Sequence, residues 1–249
     1  MTDEDNSLAD LLLTNPRSEK IRIERTKGGL LIDSSRWILD NSEFQRWREG
    51  THSQLLWIKG DAGKGKTMLM IGIINELQQV ARLGKSSVTE VLSYFLCQGT
   101  DSRLNTATAI LRGIIYLLAS QQPFPISHLR QNYDHAGRKL FEDSSAFHSL
   151  SYIFHQMIQD SRLTAAYLVV DALDECEKGL PELLDLITST VSAQRTCIKW
   201  IVSSRHRYDI EQWLGLSHKT KSRIECRPHI PRYRCVCRLQ GIAACLTPK

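Results

Sequence analysis

Several features typical of secreted, membrane and zinc-binding proteins are missing from this 249-residue sequence. It has no run of 18 apolar residues and no signal peptide, which argues against a membrane partner and favours a cytoplasmic location. Its seven cysteines include no C-x-x-C pair, so neither a disulfide framework nor a structural zinc site is indicated. We find no internal repeat and no low-complexity tract. With 42% apolar and 24% charged residues, the chain should form an ordinary globular domain.

The net charge of +5 is concentrated at the C-terminal end of the chain. Residues 218–249 contain eight Lys or Arg residues and one acid, Glu225, which gives them a net charge of +7 and leaves −2 for the rest. A nucleic-acid-binding domain carries its basic residues on the body of the domain. The charge distribution therefore argues against a nucleic-acid partner.

A glycine-rich turn follows a short apolar run in the sequence L-L-W-I-K-G-D-A-G-K-G-K-T, residues 55–67. This stretch matches the phosphate-binding pattern G-x-x-x-x-G-K-[ST]. Glycines let successive backbone N–H groups approach a phosphate, the lysine reaches the β- and γ-phosphates, and the hydroxyl binds Mg²⁺. The predicted nucleotide-binding residues are Gly60, Asp61, Ala62, Gly63, Lys64, Gly65, Lys66 and Thr67. Thr67 is also a predicted metal ligand, and the cofactors would be ATP or GTP with Mg²⁺.

Apolar runs of strand length alternate with segments of helical periodicity along the chain. The predicted strands span residues 55–58, 88–97, 167–170 and 198–202, with helices between them, while Pro123 and Pro125 are expected to mark a loop. Such alternation requires a parallel sheet that is covered on both faces. The predicted fold is therefore an α/β P-loop NTPase sandwich of three layers with a mainly parallel sheet.

A second candidate phosphate-side cluster lies in Y-L-V-V-D-A-L-D-E-C, residues 167–176. Four apolar residues and then a carboxylate are typical of a Walker B strand, so Asp171 is predicted to hold Mg²⁺ opposite Thr67. Asp174 or Glu175 would polarise the attacking water. The alternative is a strand followed by a solvated acidic loop.

An arginine at the end of the next strand is the third candidate catalytic residue. Arg205 follows W-I-V-S-S at the sheet edge where α/β proteins bind their ligands, and its guanidinium could sense a γ-phosphate. Arg207, or simple surface charge, is the competing interpretation.

The motifs G-D-A-G-K-G-K-T, V-V-D-A-L-D-E and W-I-V-S-S-R together resemble the NACHT domain of the STAND class of signalling NTPases. Flanking segments such as G-G-L-L-I-D-S-S-R-W-I-L-D and Y-D-H-A-G-R-K-L-F-E-D are similar to filamentous-fungal NOD-like receptors, whose NTPase is also called the nephrocystin-type N-terminal domain. The resemblance implies a switch in which ADP holds a closed monomer, while exchange for ATP or GTP permits self-association and signalling. Hydrolysis in such a switch is slow.

Two other function classes stay open at this point. A P-loop kinase would need an acceptor site and an Arg-rich lid, and we locate neither. A truncated, non-catalytic remnant acting through protein contacts is the other class, because family members usually carry an effector domain before this region and repeats after it. A Ras-type GTPase is disfavoured because no N-K-x-D motif occurs.

The sequence predicts four segments along the chain. These are a loose leader (1–19), a helical segment whose aromatics Phe44 and Trp47 pack in the core (20–53), the NACHT domain (54–217) and an unpatterned, disordered basic tail (218–249). Shifting the reading frame by one base from Ser222 permits L-E-L-N-A-D-H-I-S-R, which resembles the continuation of relatives. We therefore hypothesise a frameshift that leaves the C-terminal edge strand of the sheet missing or altered.

Overall fold

The core of the protein is a five-stranded sheet whose neighbouring strands all run parallel. A computed structural model of the chain describes residues 3–29, 32–83, 90–191, 196–216 and 222–226. The strands are β1 (Gln54–Lys59), β2 (Glu90–Leu96), β3 (Ala165–Asp171), β4 (Cys197–Ser204) and β5 (Ser222–Glu225). Their order across the sheet is β2-β3-β4-β1-β5.

Eleven helices are present in the described ranges, and a 3₁₀ turn, Leu173–Glu175, follows β3. They are α1 (Asp3–Leu11), α2 (Pro16–Thr26), α3 (Ile32–Leu39), α4 (Ser42–Glu49), α5 (Lys66–Leu83), α6 (Ala107–Ala119), α7 (Pro123–Ala136), α8 (Lys139–Glu142), α9 (Ala146–Gln159), α10 (Leu180–Thr190) and α11 (Tyr208–Leu216). None of these helices is both long and apolar enough to cross a membrane.

Helices cover both faces of the sheet, which explains why β1 to β4 are mainly apolar rather than alternating. In β1, Leu55 and Trp57 join the cluster built with α6, α9 and α10, whereas Leu56 and Ile58 join the cluster built with α4 and α5. The prediction of a three-layer α/β P-loop fold is confirmed. The predicted packing role of the aromatics is also confirmed for Phe44 and Trp47 of α4, which are fully buried.

The N-terminal residues differ from the loose leader that the sequence predicts. Residues 3–11 form α1, and Leu11 is fully buried against the core. The Arg112 guanidinium of α6 donates to the backbone carbonyls of Asp10 (2.7 Å) and Leu11 (2.8 Å), so it caps the end of α1. These contacts come from residues about 100 positions away, which a local pattern does not show.

Two prolines begin helices, and one of them, Pro123, is at a position where the sequence predicted a loop. Pro16 is at the first turn of α2, and Pro123 opens α7 instead of marking a loop. The first turn of a helix tolerates proline because its backbone N–H would have no partner within the helix, and the fixed φ suits a helix.

The edge strand beside β1 is short but not missing. β5 pairs in parallel with residues 56–59 of β1, and both Ile224 and Cys226 are buried. The Cys226 backbone N–H also donates to the Lys59 carbonyl at 2.8 Å. The predicted domain boundary at residue 217 therefore falls inside the folded domain. Residues 227–249, which include most of the predicted disordered tail, lie outside the described residues.

Candidate functional site

A cleft of about 280 Å³ lies at the carboxyl edge of the sheet, where β1, β3 and β4 end. This is the edge at which open α/β sheets bind their ligands. The residues that line the cleft are Lys27, Ala62, Gly63, Lys64, Gly65, Lys66, Thr67, Met68, Asp171, Ala172, Asp174, Glu175 and Arg205. Most of the predicted site residues are thus brought to one place. The exceptions, Gly60 and Asp61, lie at the start of the loop and do not line the cleft.

The loop between β1 and α5 needs glycine for its backbone conformation. Gly63 and Gly65 have φ angles of +74° and +76°, which L side chains rarely adopt. An added Cβ at either position would meet nothing within 4 Å, so space is not the constraint. Gly60 differs, because a Cβ there would come within 3.0 Å of the Cys226 side chain and carbonyl. The loop is therefore packed tightly at its start and open toward the cleft at Gly63 and Gly65.

The Lys66 ammonium is held by the loop itself. It donates to the backbone carbonyls of Gly60 (2.5 Å) and Asp61 (2.9 Å). Gly60 and Asp61 therefore contribute to the site through the lysine. A phosphate in the cleft would compete with these carbonyls for the ammonium, and a charged acceptor makes the stronger hydrogen bond.

Asp171, at the last position of β3, meets Thr67 and Ser203 in the interior. Its carboxylate accepts hydrogen bonds from both hydroxyls, and only 1% of the residue is exposed. Burial raises the pKa of Asp171 above its ordinary value, although the two hydroxyls and the charge of Lys27 act in the opposite direction.

The donor set around Asp171 fits Mg²⁺. A carboxylate and a hydroxyl are hard oxygen ligands, and protein sites for Mg²⁺ commonly supply one or two such groups beside substrate phosphates and water. Thr67 and Asp171 already lie in hydrogen-bond contact. In the described part of the chain, no group of three or more His, Cys, Asp or Glu residues is arranged to hold a metal. A metal at this cleft would therefore depend on ligands supplied by phosphate.

The turn after β3 is strained at Ala172. This residue has φ +56°, the left-handed region, and it is the one non-glycine residue with a positive φ in the described ranges. Its backbone N–H donates to the Ser203 hydroxyl at 2.9 Å. Left-handed alanine costs about 1–2 kcal/mol, and such strain clusters at functional sites. The turn directs Asp174 and Glu175 toward the cleft.

Arg205 bridges the two acidic candidates. Its Nε lies 3.0 Å from Asp174 Oδ2, its Nη2 lies 3.1 Å from Glu175 Oε1, and its backbone N–H donates to Asp174 Oδ1 at 2.9 Å. Glu175 Oε2 also accepts from the Gly99 backbone N–H at 2.9 Å. Both oxygens of Asp174 are therefore engaged with Arg205. The Asp174 side chain is only 5% exposed, whereas the Glu175 side chain is 32% exposed.

The competing arginine does not line the cleft. Arg207 pairs with Asp209 and donates from Nη1 to the Asp174 backbone carbonyl at 2.9 Å. It supports the turn from outside, so Arg205 is the arginine placed to meet a ligand.

Three residues of the site region were not predicted as site residues. Ser203 appeared in the sequence only as the end of a strand, although a small hydroxyl residue beside a Walker B strand is a usable signal. Met68 and Lys27 line the cleft, and Lys27 comes from the segment before the P-loop strand.

Two solved structures resemble this chain remotely. The Aeropyrum pernix ORC2 protein, from its ADPNP-ADP complexes, matches with a TM-score of 0.46 and 12% identity over 78% of this chain and 45% of that chain. The Aeropyrum pernix ORC1 protein in complex with DNA matches with a TM-score of 0.42 and 15% identity, covering 89% of this chain and 49% of that one.

Comparison of sequences gives a much stronger result. Vegetative incompatibility protein HET-E-1 of Podospora anserina is 56% identical over 211 residues, which cover 85% of this chain but only 15% of that protein. The profile of the family described as nephrocystin 3, N-terminal, matches residues 33–205. Both matches contain the glycine-rich loop, the Asp171 strand and Arg205, and they agree with the resemblance that the motifs carry. The chain therefore belongs to the nephrocystin 3 N-terminal family, as a fungal NACHT-type P-loop domain.

Proposed function

We propose that this chain is a Mg²⁺-dependent nucleotide-binding switch module that binds ATP or GTP and hydrolyses it slowly. The observation that carries the proposal is the contact between the Thr67 hydroxyl and the Asp171 carboxylate at the base of the glycine-rich loop. Two oxygen ligands are thereby joined from elements about 100 residues apart in sequence. This arrangement suits a metal–phosphate ligand better than a solvated acidic loop.

Each part of the cleft has a role in binding phosphate. The glycine conformations at Gly63 and Gly65 let the loop backbone approach the ligand, and the N-terminus of α5 favours negative charge. Lys66 neutralises the β/γ-phosphates after leaving the loop carbonyls. A bound Mg²⁺ would supply charge neutralisation of the phosphates, and Thr67 and Asp171 would hold it.

The hydrolytic step is assigned to Glu175 rather than Asp174. Both carboxylates have their two oxygens engaged, but both Asp174 oxygens hold Arg205, whereas the Glu175 oxygens are divided between Arg205 and the Gly99 N–H. The Glu175 side chain is 32% exposed against 5% for Asp174, so it is the more accessible of the two to a water in the cleft. Glu175 would accept a proton from the attacking water, and Arg205 would turn toward the γ-phosphate. Asp174 would position Arg205.

We further propose that the module belongs to signalling of the NOD-like receptor type. The relative HET-E-1 is named a vegetative incompatibility protein, and this chain spans about 15% of its length. Nucleotide exchange would control self-association of the module in a longer protein. The cytoplasm supplies the ATP, GTP and Mg²⁺ that this function needs.

Equilibrium binding of labelled ATP, ADP and GTP, with and without Mg²⁺, tests the proposal. We expect binding to the parent chain and none to Lys66→Ala, since that variant lacks the cation that neutralises the phosphates. Lys139→Ala is the control, because Lys139 is an exposed lysine of α8. Unchanged ATP affinity in Lys66→Ala would disprove the site. Glu175→Gln should keep ATP binding but slow hydrolysis, since water activation acts in the transition state.

A further inference from the structure

Lys27 brings a positive charge into the cleft from outside the stretch that the family profile matches. It lines the same cleft as Lys66, Thr67, Asp171 and Arg205, yet it follows α2 and precedes the matched residues 33–205. Its charge also acts on the buried Asp171 carboxylate. The ammonium is therefore close to the place where a metal–phosphate ligand would lie.

The chain turns at a pair of glycines directly after Lys27. Gly28 and Gly29 have φ angles of +88° and +84°, and an added Cβ at either would meet nothing within 4 Å. The glycines are therefore required by the backbone conformation. The Lys27 N–H donates to the Ile23 carbonyl at 3.0 Å, and the Gly29 N–H donates to the Glu24 carbonyl at 2.9 Å. The turn is thus tied to the end of α2.

Two other cations of the cleft are engaged by described residues, whereas Lys27 and the loop residue Lys64 are both exposed. Lys66 donates to two loop carbonyls, and Arg205 pairs with Asp174 and Glu175. The Lys27 ammonium makes no hydrogen bond or ion pair with another described residue. Among the described residues it therefore has no hydrogen-bond or ion-pair partner to give up before it meets a ligand.

Helix α2 is itself anchored next to the candidate catalytic residues. Arg22 Nη2 donates to the Gln98 side chain at 2.6 Å, and the neighbouring Gly99 N–H is the group that holds Glu175. At the other end of α2, Arg17 Nη2 donates to the Ser120 hydroxyl at 2.8 Å. The helix is fixed across the end of β2, so its last turn has a defined position relative to the cleft.

We propose that the Lys27 ammonium binds the phosphate chain of the nucleotide, so that α2 and its glycine turn form part of the nucleotide site. This inference rests on the proposed function of the cleft. Contact with an anionic ligand would also hold the last turn of α2 in place, which links nucleotide occupancy to the segment that precedes the P-loop domain.

Binding of labelled MgATP to the full chain tests the proposal through four variants. Lys27→Gln should weaken ATP binding by about tenfold or more, the size of one charge-assisted hydrogen bond. Lys27→Glu should weaken it further, and Lys27→Arg should restore most of the affinity. Arg25→Gln is the matched control, because Arg25 is also exposed and lies on the same turn, but it does not line the cleft.

Hydrogen exchange supplies a second readout that a purely structural role would not change. MgATP should increase protection of residues 23–29 in the parent chain, and this increase should be lost in Lys27→Gln. Thermal unfolding without nucleotide should differ little between Lys27→Gln and the parent, since the side chain is exposed and its charge has only a minor influence on Asp171. No ATP binding by the parent would refute the proposed function itself. If the parent binds and Lys66→Ala does not, equal affinities of Lys27→Gln and Arg25→Gln would overturn the role of Lys27 alone.

Discussion

Ser203 serves two neighbouring groups with one hydroxyl. It accepts from the Ala172 N–H and donates to Asp171, so it holds both the strained turn and the candidate metal ligand. Ser203→Ala should lower the free energy of unfolding by about 1–3 kcal/mol, the cost of leaving buried polar groups unpaired. It should also weaken Mg²⁺-dependent nucleotide binding, because the Asp171 carboxylate would no longer be fixed.

Ser204→Ala is the matched control for this prediction. Ser204 is equally buried, but its hydroxyl accepts from Trp57 Nε1 at 2.9 Å and does not contact Asp171. Urea unfolding and Mg²⁺ titration of nucleotide binding would compare the two variants. A similar loss of Mg²⁺-dependent binding in both would show that Ser203 has no special role.

Asp171 should reduce stability in the absence of ligand. Burial raises the pKa of Asp171 in the folded chain above its ordinary value in the unfolded chain. The stability that Asp171 contributes is therefore fully present below the unfolded pKa and is lost as the pH rises through the folded pKa. At neutral pH, the free energy of unfolding of Asp171→Asn should therefore exceed that of the parent by about 0.5–2 kcal/mol, so the variant should unfold at a higher temperature. The same variant should lose Mg²⁺-dependent nucleotide binding. Thermal unfolding from pH 4 to pH 7.5 should show the gap widening as pH rises. A constant gap would contradict the assignment.

The sequence is most informative about residues when their partners are close along the chain. The glycine loop, Lys66 and Thr67 form one local motif, so they could be predicted. Ser203 could not be assigned its role in this way, because its two partners lie 31 and 32 residues earlier. The arginine at position 205 could be placed at the sheet edge, but its engagement by both acids depends on the fold of the turn at Ala172.

At the scale of elements, α6 packs on β2 through a glycine. A Cβ added at Gly113 would lie 2.4 Å from Phe95 Cδ2 and 3.2 Å from the Pro16 ring of α2. Glycine to alanine within a helix normally stabilises by about 0.5–1 kcal/mol. Here the sign should reverse, since the buried phenyl ring must move, and overpacking costs about 1–3 kcal/mol. Chemical unfolding of Gly113→Ala measures the effect.

A companion variant identifies the ring as the cause. Phe95→Leu removes part of the clashing group, so Gly113→Ala should cost less in that background than in the parent. Equal costs in both backgrounds would mean that the methyl group meets some other obstacle. The double-mutant comparison is informative because a methyl group at position 113 would directly contact the Phe95 ring.

Periodicity predicted the type of most elements but not their ends. The apolar stripes of α5, α6 and α9 are evident in the sequence because each of these helices buries one face. Proline occurs both in loops and at the first position of helices, so the sequence around Pro123 does not show that this residue begins α7. The docking of α1 depends on Arg112, a residue of α6, and no local pattern reveals it.

At the scale of the molecule, β5 closes the sheet beside the P-loop strand. Ile224 is 4% exposed, and four residues pair with β1. A chain ending at residue 221 should be less stable than one ending at residue 226 by about 2–4 kcal/mol, from lost apolar burial and strand pairing. The shorter chain should also bind nucleotide less tightly, because Cys226 packs against Gly60.

Unfolding of the two truncated chains, followed by ATP titration, measures this contribution of residues 222–226. Equal stability would mean that β5 adds little to the sheet. The sequence does not predict this strand, because four residues with one apolar side chain, Ile224, have almost no alternating pattern. Its pairing is set by the free edge of β1, which only the assembled sheet provides.

The strand order also determines when, during synthesis, the strands that support the glycine-rich loop become available. β1 is synthesised early, yet its hydrogen-bonded neighbours in the sheet are β4 and β5. Just before β1, the Ser53 hydroxyl donates to the Thr196 carbonyl, 143 residues away in sequence. Contacts so distant in sequence slow folding, and an unpaired strand edge invites association with other chains. The phosphate loop can become rigid only after residues 197–204, and then 222–225, have left the ribosome. Until that moment a nascent chain carries the complete glycine motif without the sheet that positions it.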